Sequence, residues 1–141
     1  MPKNNKISHW SLTLLRVVLG IIFAYHGYLK LFVPNGFKGT VGFFTSLGIP
    51  LPIYAALVVS VVEFIGGLLL ILGVLSRWSS VLLIVNMLVA FFVVHLNNGL
   101  LVSNGGYEFV LVLLAGLVVV LVNGAGSLSV GKKYFKSKHL Q

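Results

Sequence analysis

Seven polar or ionisable residues fall within or at the edges of long apolar stretches of this sequence: Arg16, His26, Lys30, Glu63, Asn86, His95 and Glu108. A charged side chain in the middle of a lipid-spanning helix costs about 2.5 kcal/mol or more unless it is paired or hydrated. Each is therefore a candidate for function. Glu63 is the costliest, because it lies near the middle of the apolar run from about Pro52 to Leu75. Ala56, Ser60, Glu63 and Gly67 share one stripe at helical spacing, and small residues mixed with polar ones mark a helix–helix contact rather than a lipid face. Glu63 is expected to point inward. It would serve as a proton-carrying or substrate-binding carboxylate, or else as half of a structural ion pair or a protonated buried acid.

Asn86 sits at a similar depth in a third run and is a plausible hydrogen-bond partner for Glu63, or simple interhelical glue. His26 and Lys30 lie one turn apart in the first run. His26 can relay protons or bind a polar ligand head, which makes it, with Glu63, the best catalytic candidate. Lys30 is close enough to the interface to snorkel. Glu108 opens the fourth run, where the helix dipole favours an acid, or it pairs with Lys30 or His26 at a pocket mouth. His95 lies about 180° from Asn86 on an ideal helix, so the two share a face only if that helix breaks. His26 and His95 are also offset in depth, which argues against a haem held by both. The ligand-binding candidates are thus His26, Lys30, Glu63, Asn86, His95 and Glu108, with no metal site.

These residues need elements to hold them, and composition says which. The chain of 141 residues is 58% hydrophobic and 9% charged, with a mean hydropathy of +1.06. Soluble domains carry roughly 25% charge, so lipid is the solvent that fits. Four apolar runs, at about residues 10–33, 52–75, 78–96 and 107–123, predict an all-α, four-helix integral membrane bundle. Residues 1–141 form one transmembrane domain with a basic tail over 124–141. A soluble catalytic domain has no room. The first run is too long for the apolar part of a signal peptide and lacks a small-residue cleavage site, so it reads as a retained span.

The break between the second and third runs is placed at Ser76-Arg77, and Asn97-Asn98-Gly99 with Asn104-Gly105-Gly106 mark a non-helical stretch before the fourth. In the long loop 34–52, Phe37, Val41, Phe44 and Leu47 recur on one face, predicting a short interfacial helix on the outer leaflet. Lys3, Lys6, Arg77, Lys132, Lys133, Lys136 and Lys138 lie on one side, against Lys30 and Lys38 on the other. Seven against two predicts both ends inside. Trp10 and Trp78 at one interface, with Tyr54 and Tyr107 at the other, agree with that orientation.

The net charge of +8 comes without a polar platform of interleaved aromatics, so nucleic acid is not the expected partner. Lys132, Lys133, Lys136 and Lys138 would instead attract anionic lipid headgroups. The chain has no cysteine, which excludes disulfides, thiolate metal sites, iron–sulfur clusters and covalent c-type haem.

Arg16-Val17-Val18-Leu19-Gly20 leads into His26-Gly27-Tyr28-Leu29-Lys30-Leu31-Phe32. Gly36-Phe37-Lys38-Gly39-Thr40, Phe43-Phe44-Thr45-Ser46-Leu47-Gly48-Ile49-Pro50-Leu51-Pro52 and Val62-Glu63-Phe64-Ile65-Gly66-Gly67 follow. His95-Leu96-Asn97-Asn98-Gly99 and Asn104-Gly105-Gly106-Tyr107-Glu108 complete the series. In this order the motifs resemble the DoxX family of small four-helix bacterial membrane proteins, over about residues 12–123. The resemblance implies a location in the bacterial cytoplasmic (inner) membrane and a subunit or accessory role in a quinone-linked oxidoreductase. It also implies a non-covalently held quinone and a redox partner subunit. Two alternatives stand beside it: a small proton-coupled transporter or channel, which would need to form a homo-oligomer, and a non-catalytic scaffold tethering redox enzymes.

Overall fold

The computed structural model describes residues 5–131, with side chains from His9 onward. Lys3, the Lys6 side chain and the lysines at 132–138 lie outside the described residues. Five α-helices follow one another: α1 Asn5–Phe32, α2 Gly36–Ser46, α3 Pro52–Leu72, α4 Ser76–Val89 and α5 Glu108–Asn123. A π-helical segment, Ala90–His95, extends α4, and 3₁₀ turns at Leu96–Asn98 and Val102–Asn104 carry the chain to α5.

The stretches His9–Phe32, Pro52–Leu72 and Ser76–Asn98 are each long and apolar enough to cross a membrane. α5 is shorter, at 16 residues, or about 24 Å of rise. It nevertheless packs as a full member of the bundle. Val110, Leu113, Leu117 and Val120 join Leu12, Leu19 and Phe23 of α1, Leu70 of α3, and Leu83 and Met87 of α4 in one apolar core. The remaining faces are apolar and exposed, among them Leu14, Ile21, Tyr54, Val58, Phe92 and Val112. Such faces suit a lipid solvent. The chain is a helical membrane bundle.

The closest approach in the bundle is between α1 and α3, and glycine makes it. A Cβ on Gly27 would land on the backbone of Phe64, and one on Gly67 would strike Ala24 and Gly20. Without side chains at those crossings the two backbones touch, the close packing that small residues allow in membranes. Phe32 stacks edge-on against Phe64 at 5.1 Å, one turn further along.

Two boundaries differ from the sequence expectation. The turn after α3 is Gly73–Leu75, and Ser76-Arg77 already belongs to α4. Gly73, at φ +70°, closes α3, and the Val74 N–H reaches back to Leu69 O at 3.0 Å. This is the glycine-terminated helix end in which a left-handed residue satisfies the last carbonyls. The polarity of Ser76 and Arg77 marks the first turn of the next helix, not the break.

The second difference is at residues 124–131. These residues, the start of the basic tail, fold back onto α1 and the end of α3. The Thr13 hydroxyl accepts from the Ser127 and Leu128 N–H groups at 2.9 and 3.3 Å, and the Ser129 hydroxyl donates to Gly73 O at 2.7 Å.

The short helix α2 lies across the opposite end of the bundle, between α1 and α3. Phe37, Val41, Phe44 and Leu47 are half-buried while the rest of the helix is largely exposed. The predicted apolar face is thus turned partly onto α1 and α3.

Candidate functional site

The glycine-mediated contact between α1 and α3 brings Lys30 onto Glu63. Lys30 Nζ and Glu63 Oε2 form a direct ion pair, and Asn86 Nδ2 of α4 donates to the other carboxylate oxygen, Oε1, at 3.0 Å. Three helices therefore meet at one carboxylate. The side chains of Glu63 and Lys30 are 7% and 23% exposed, so the pair is little screened by solvent. Lys30 is not a snorkelling residue: its ammonium turns inward because an unpaired Glu63 at this depth would be far costlier than a shared pair.

This polar cluster forms one wall of a cavity of about 710 Å³ in the half of the bundle nearest α2. His26 and His95 also line it. Most of the remaining surface is apolar, from Phe23 and Leu29 of α1, Val59 of α3, Met87 of α4 and Leu113 of α5. Gly36, Gly39, Thr40, Phe43 and Phe44 of α2 close it on one side. Its volume is in the range of small-molecule sites, which commonly span about 300–1,000 Å³.

His95 reaches the cavity because its helix changes pitch. A π turn holds one extra residue, which sets back everything after it by about 100° relative to an ideal α-helix. That offset removes more than half of the angle that would separate His95 from Asn86. Phe91, within the π segment, packs edge-on against Tyr107 at 5.2 Å and anchors it to the start of α5. The His95 ring is then fixed by Nδ1, which lies 2.6 Å from Gly105 O. A carbonyl only accepts, so Nδ1 carries a proton, and in the neutral ring Nε2 is then the acceptor. Gly105 sits at φ +76°, and Asn98 Nδ2 donates to the same carbonyl at 3.3 Å.

Glu108 does not join this group. Its Oε1 accepts from the Val102 N–H at 2.5 Å, and it is absent from the cavity wall. The pairing with Lys30 or His26 therefore does not occur: Lys30 is taken by Glu63, and Glu108 satisfies the backbone of the turn that precedes its own helix.

Arg16, at the opposite end of the bundle, is 1% exposed and has no acid beside it. Its Nη1 donates to Leu70 O and, at 3.0 Å, to Ile71 O, while Nη2 donates to Leu128 O at 2.5 Å. Leu70 and Ile71 carry two of the last carbonyls of α3, which have no partner within the helix and stand at the negative end of its dipole. Arg16 thus joins three backbone segments, and its charge is met by carbonyl dipoles. Backbone carbonyls leave no trace in a sequence, so this role was not legible from residue types. His26 lines the cavity with no hydrogen-bond partner among the described residues.

Comparison with known proteins places the chain in a family. A protein of Bacillus subtilis named "Putative oxidoreductase CatD" is 34% identical over 95% of this chain and 94% of its own length. An uncharacterized protein of Haemophilus influenzae is 34% identical over 96% of this chain and 99% of its own. The inner membrane protein YphA of Escherichia coli is 37% identical over 52% of this chain and 50% of its own. No solved structure matches the chain. The DoxX family model matches residues 11–96, a stretch that contains His26, Lys30, Glu63, Asn86 and His95, and the chain belongs to the DoxX family.

Proposed function

We propose that the protein is the quinone-binding membrane subunit of, or an accessory to, an oxidoreductase in the bacterial cytoplasmic membrane. The observation that carries this reading is a buried Lys30–Glu63–Asn86 cluster on the wall of a mainly apolar cavity. A quinone is a polar ring on an apolar tail, and the cavity matches both parts. Lys30 has ammonium protons beyond the one given to Glu63, and Asn86 has a second amide proton, so donors stand ready for a ring oxygen. Phe23, Leu29, Val59 and Met87 give the same space an apolar wall. The name of the Bacillus relative supports an oxidoreductase, and that of the Escherichia relative supports the inner membrane.

When bound, the quinone supplies the redox couple. The chain's own residues hold its head and handle protons. Glu63 accepts or releases a proton at a carboxylate oxygen as its pairing with Lys30 tightens or loosens, and His26 passes protons between the cavity and the α2 end. Electrons come from a partner, since a chain without cysteine provides no thiolate for an iron–sulfur centre. Both termini face the cytoplasm in this reading, and the tail lysines rest on anionic lipid.

Purified protein in detergent should bind decylubiquinone or a short-chain menaquinone, measured by calorimetry. Glu63→Gln combined with His26→Ala should weaken that binding at least tenfold. Undiminished affinity in the double variant would overturn the site assignment.

A further inference from the structure

We propose that the cavity selects hydroxylated aromatic heads, a hydroquinone or an alkylphenol, over the corresponding quinone, with His95 Nε2 as the acceptor that reads the hydroxyl. The inference rests on the quinone-site reading above and sharpens it.

Each Glu63 oxygen already accepts one hydrogen bond, Oε2 from Lys30 and Oε1 from Asn86, so its remaining lone pairs are shared with a cation and an amide. Lys30 only donates. The ion pair is internally neutral, so the cavity has no spare charge with which to hold an anion. His95 differs from both: Gly105 O binds its Nδ1 at 2.6 Å and commits the proton to that nitrogen. A neutral imidazole with Nδ1 protonated has an Nε2 that can only accept. It needs a ligand O–H or N–H opposite it.

A quinone carries only acceptors, and would leave Nε2 facing another lone pair. A hydroquinone or phenol places its O–H there, and a second ring oxygen can still take a hydrogen bond from Lys30 or Asn86. His95 is half-buried in the cavity wall, and a site that pairs a ligand hydroxyl favours it over analogues without one, because its acceptor then has no donor opposite it. His26 makes no comparable demand, since no contact among the described residues fixes its tautomer.

Two probes that differ only at the hydroxyl test this without redox chemistry: 4-heptylphenol and its O-methyl ether, titrated calorimetrically into the full-length protein beside decylubiquinone. The phenol should bind at least tenfold more tightly than the ether, and the ratio should fall to near one in His95→Phe. Equal affinities in the unmodified protein would overturn the hydroxyl preference, while decylubiquinone binding would keep the quinone-site reading intact. A large ratio that persists in His95→Phe would overturn the role of His95. Failure of all three compounds to bind would overturn the quinone-site reading along with this inference.

Nitrogen NMR of histidine-labelled protein gives a check that requires no variant. The Nε2 signal of His95 should report an unprotonated nitrogen and shift on adding the phenol but not the ether. A protonated Nε2, or a signal indifferent to the phenol, would contradict the assignment.

Discussion

Removing one member of a buried ion pair and removing both have opposite consequences, and the Lys30–Glu63 pair is a place to use that difference. Glu63→Gln strands the Lys30 ammonium in an apolar cavity, and breaking a buried pair in this way costs about 3–5 kcal/mol. Replacing both groups by neutral ones of similar size is often neutral for stability. The thermal midpoint in detergent, followed through the fluorescence of Trp10 and Trp78, should therefore fall clearly in Glu63→Gln. It should return most of the way in Lys30→Met/Glu63→Gln. Ligand affinity should not return with it, because the double variant lacks the ammonium donor. If stability and binding recovered together, the pair would be a packing feature and the cavity would not depend on it.

Among elements, the segment 124–131 is where a single side chain holds the most backbone together. The Arg16 guanidinium spans the carbonyls of Leu70 and Ile71 on one side and Leu128 on the other. Lysine is a compact point donor without that planar fork, so Arg16→Lys should keep the charge and lose one arm. A hydrogen bond to a charged group contributes about 1.5–3 kcal/mol, which sets the expected loss of stability. Affinity for cavity ligands should stay within twofold, because Arg16 is at the other end of the bundle. A loss of binding at unchanged stability would mean the two ends are coupled.

Legibility differed among these elements for physical reasons. The stripe of Ala56, Ser60, Glu63 and Gly67 was readable because membranes put small and polar residues at contacts, and Ala56, Ser60 and Glu63 are buried. The link from Glu63 to Asn86 followed from matching depth. The π segment was not readable: Ala90–His95 is as apolar as the helix before it, and the extra residue falls where Phe91 packs against Tyr107. Residue spacing alone leaves His95 about 180° from Asn86, and the π segment is what turns it to the cavity. Lys30 was misread because its partner lies 33 positions away, across a crossing that depends on Gly27 lying directly over Phe64.

For the whole molecule the open physical question is which leaflet holds the cavity, and here charge makes a definite claim. By position in the sequence, seven lysines and arginines belong to the terminal segments and the start of α4, against Lys30 and Lys38 toward α2. Such an excess in short loops sets orientation. The exposed rings of Trp10 and Trp78 near one end, and Tyr54 near the other, fit the two interfaces. Because the natural chain has no cysteine, single introduced thiols report cleanly. Ser46→Cys, at the end of α2, should react with a membrane-impermeant maleimide in intact cells. Ser137→Cys, in the lysine-rich tail, should react only after permeabilisation. That pattern puts the cavity near the outer leaflet, so His26 and Glu63 exchange protons with the outer aqueous phase and a ligand enters from the outer half of the bilayer. The reverse labelling pattern would move the cavity to the cytoplasmic leaflet and make the cytoplasm the source of its protons.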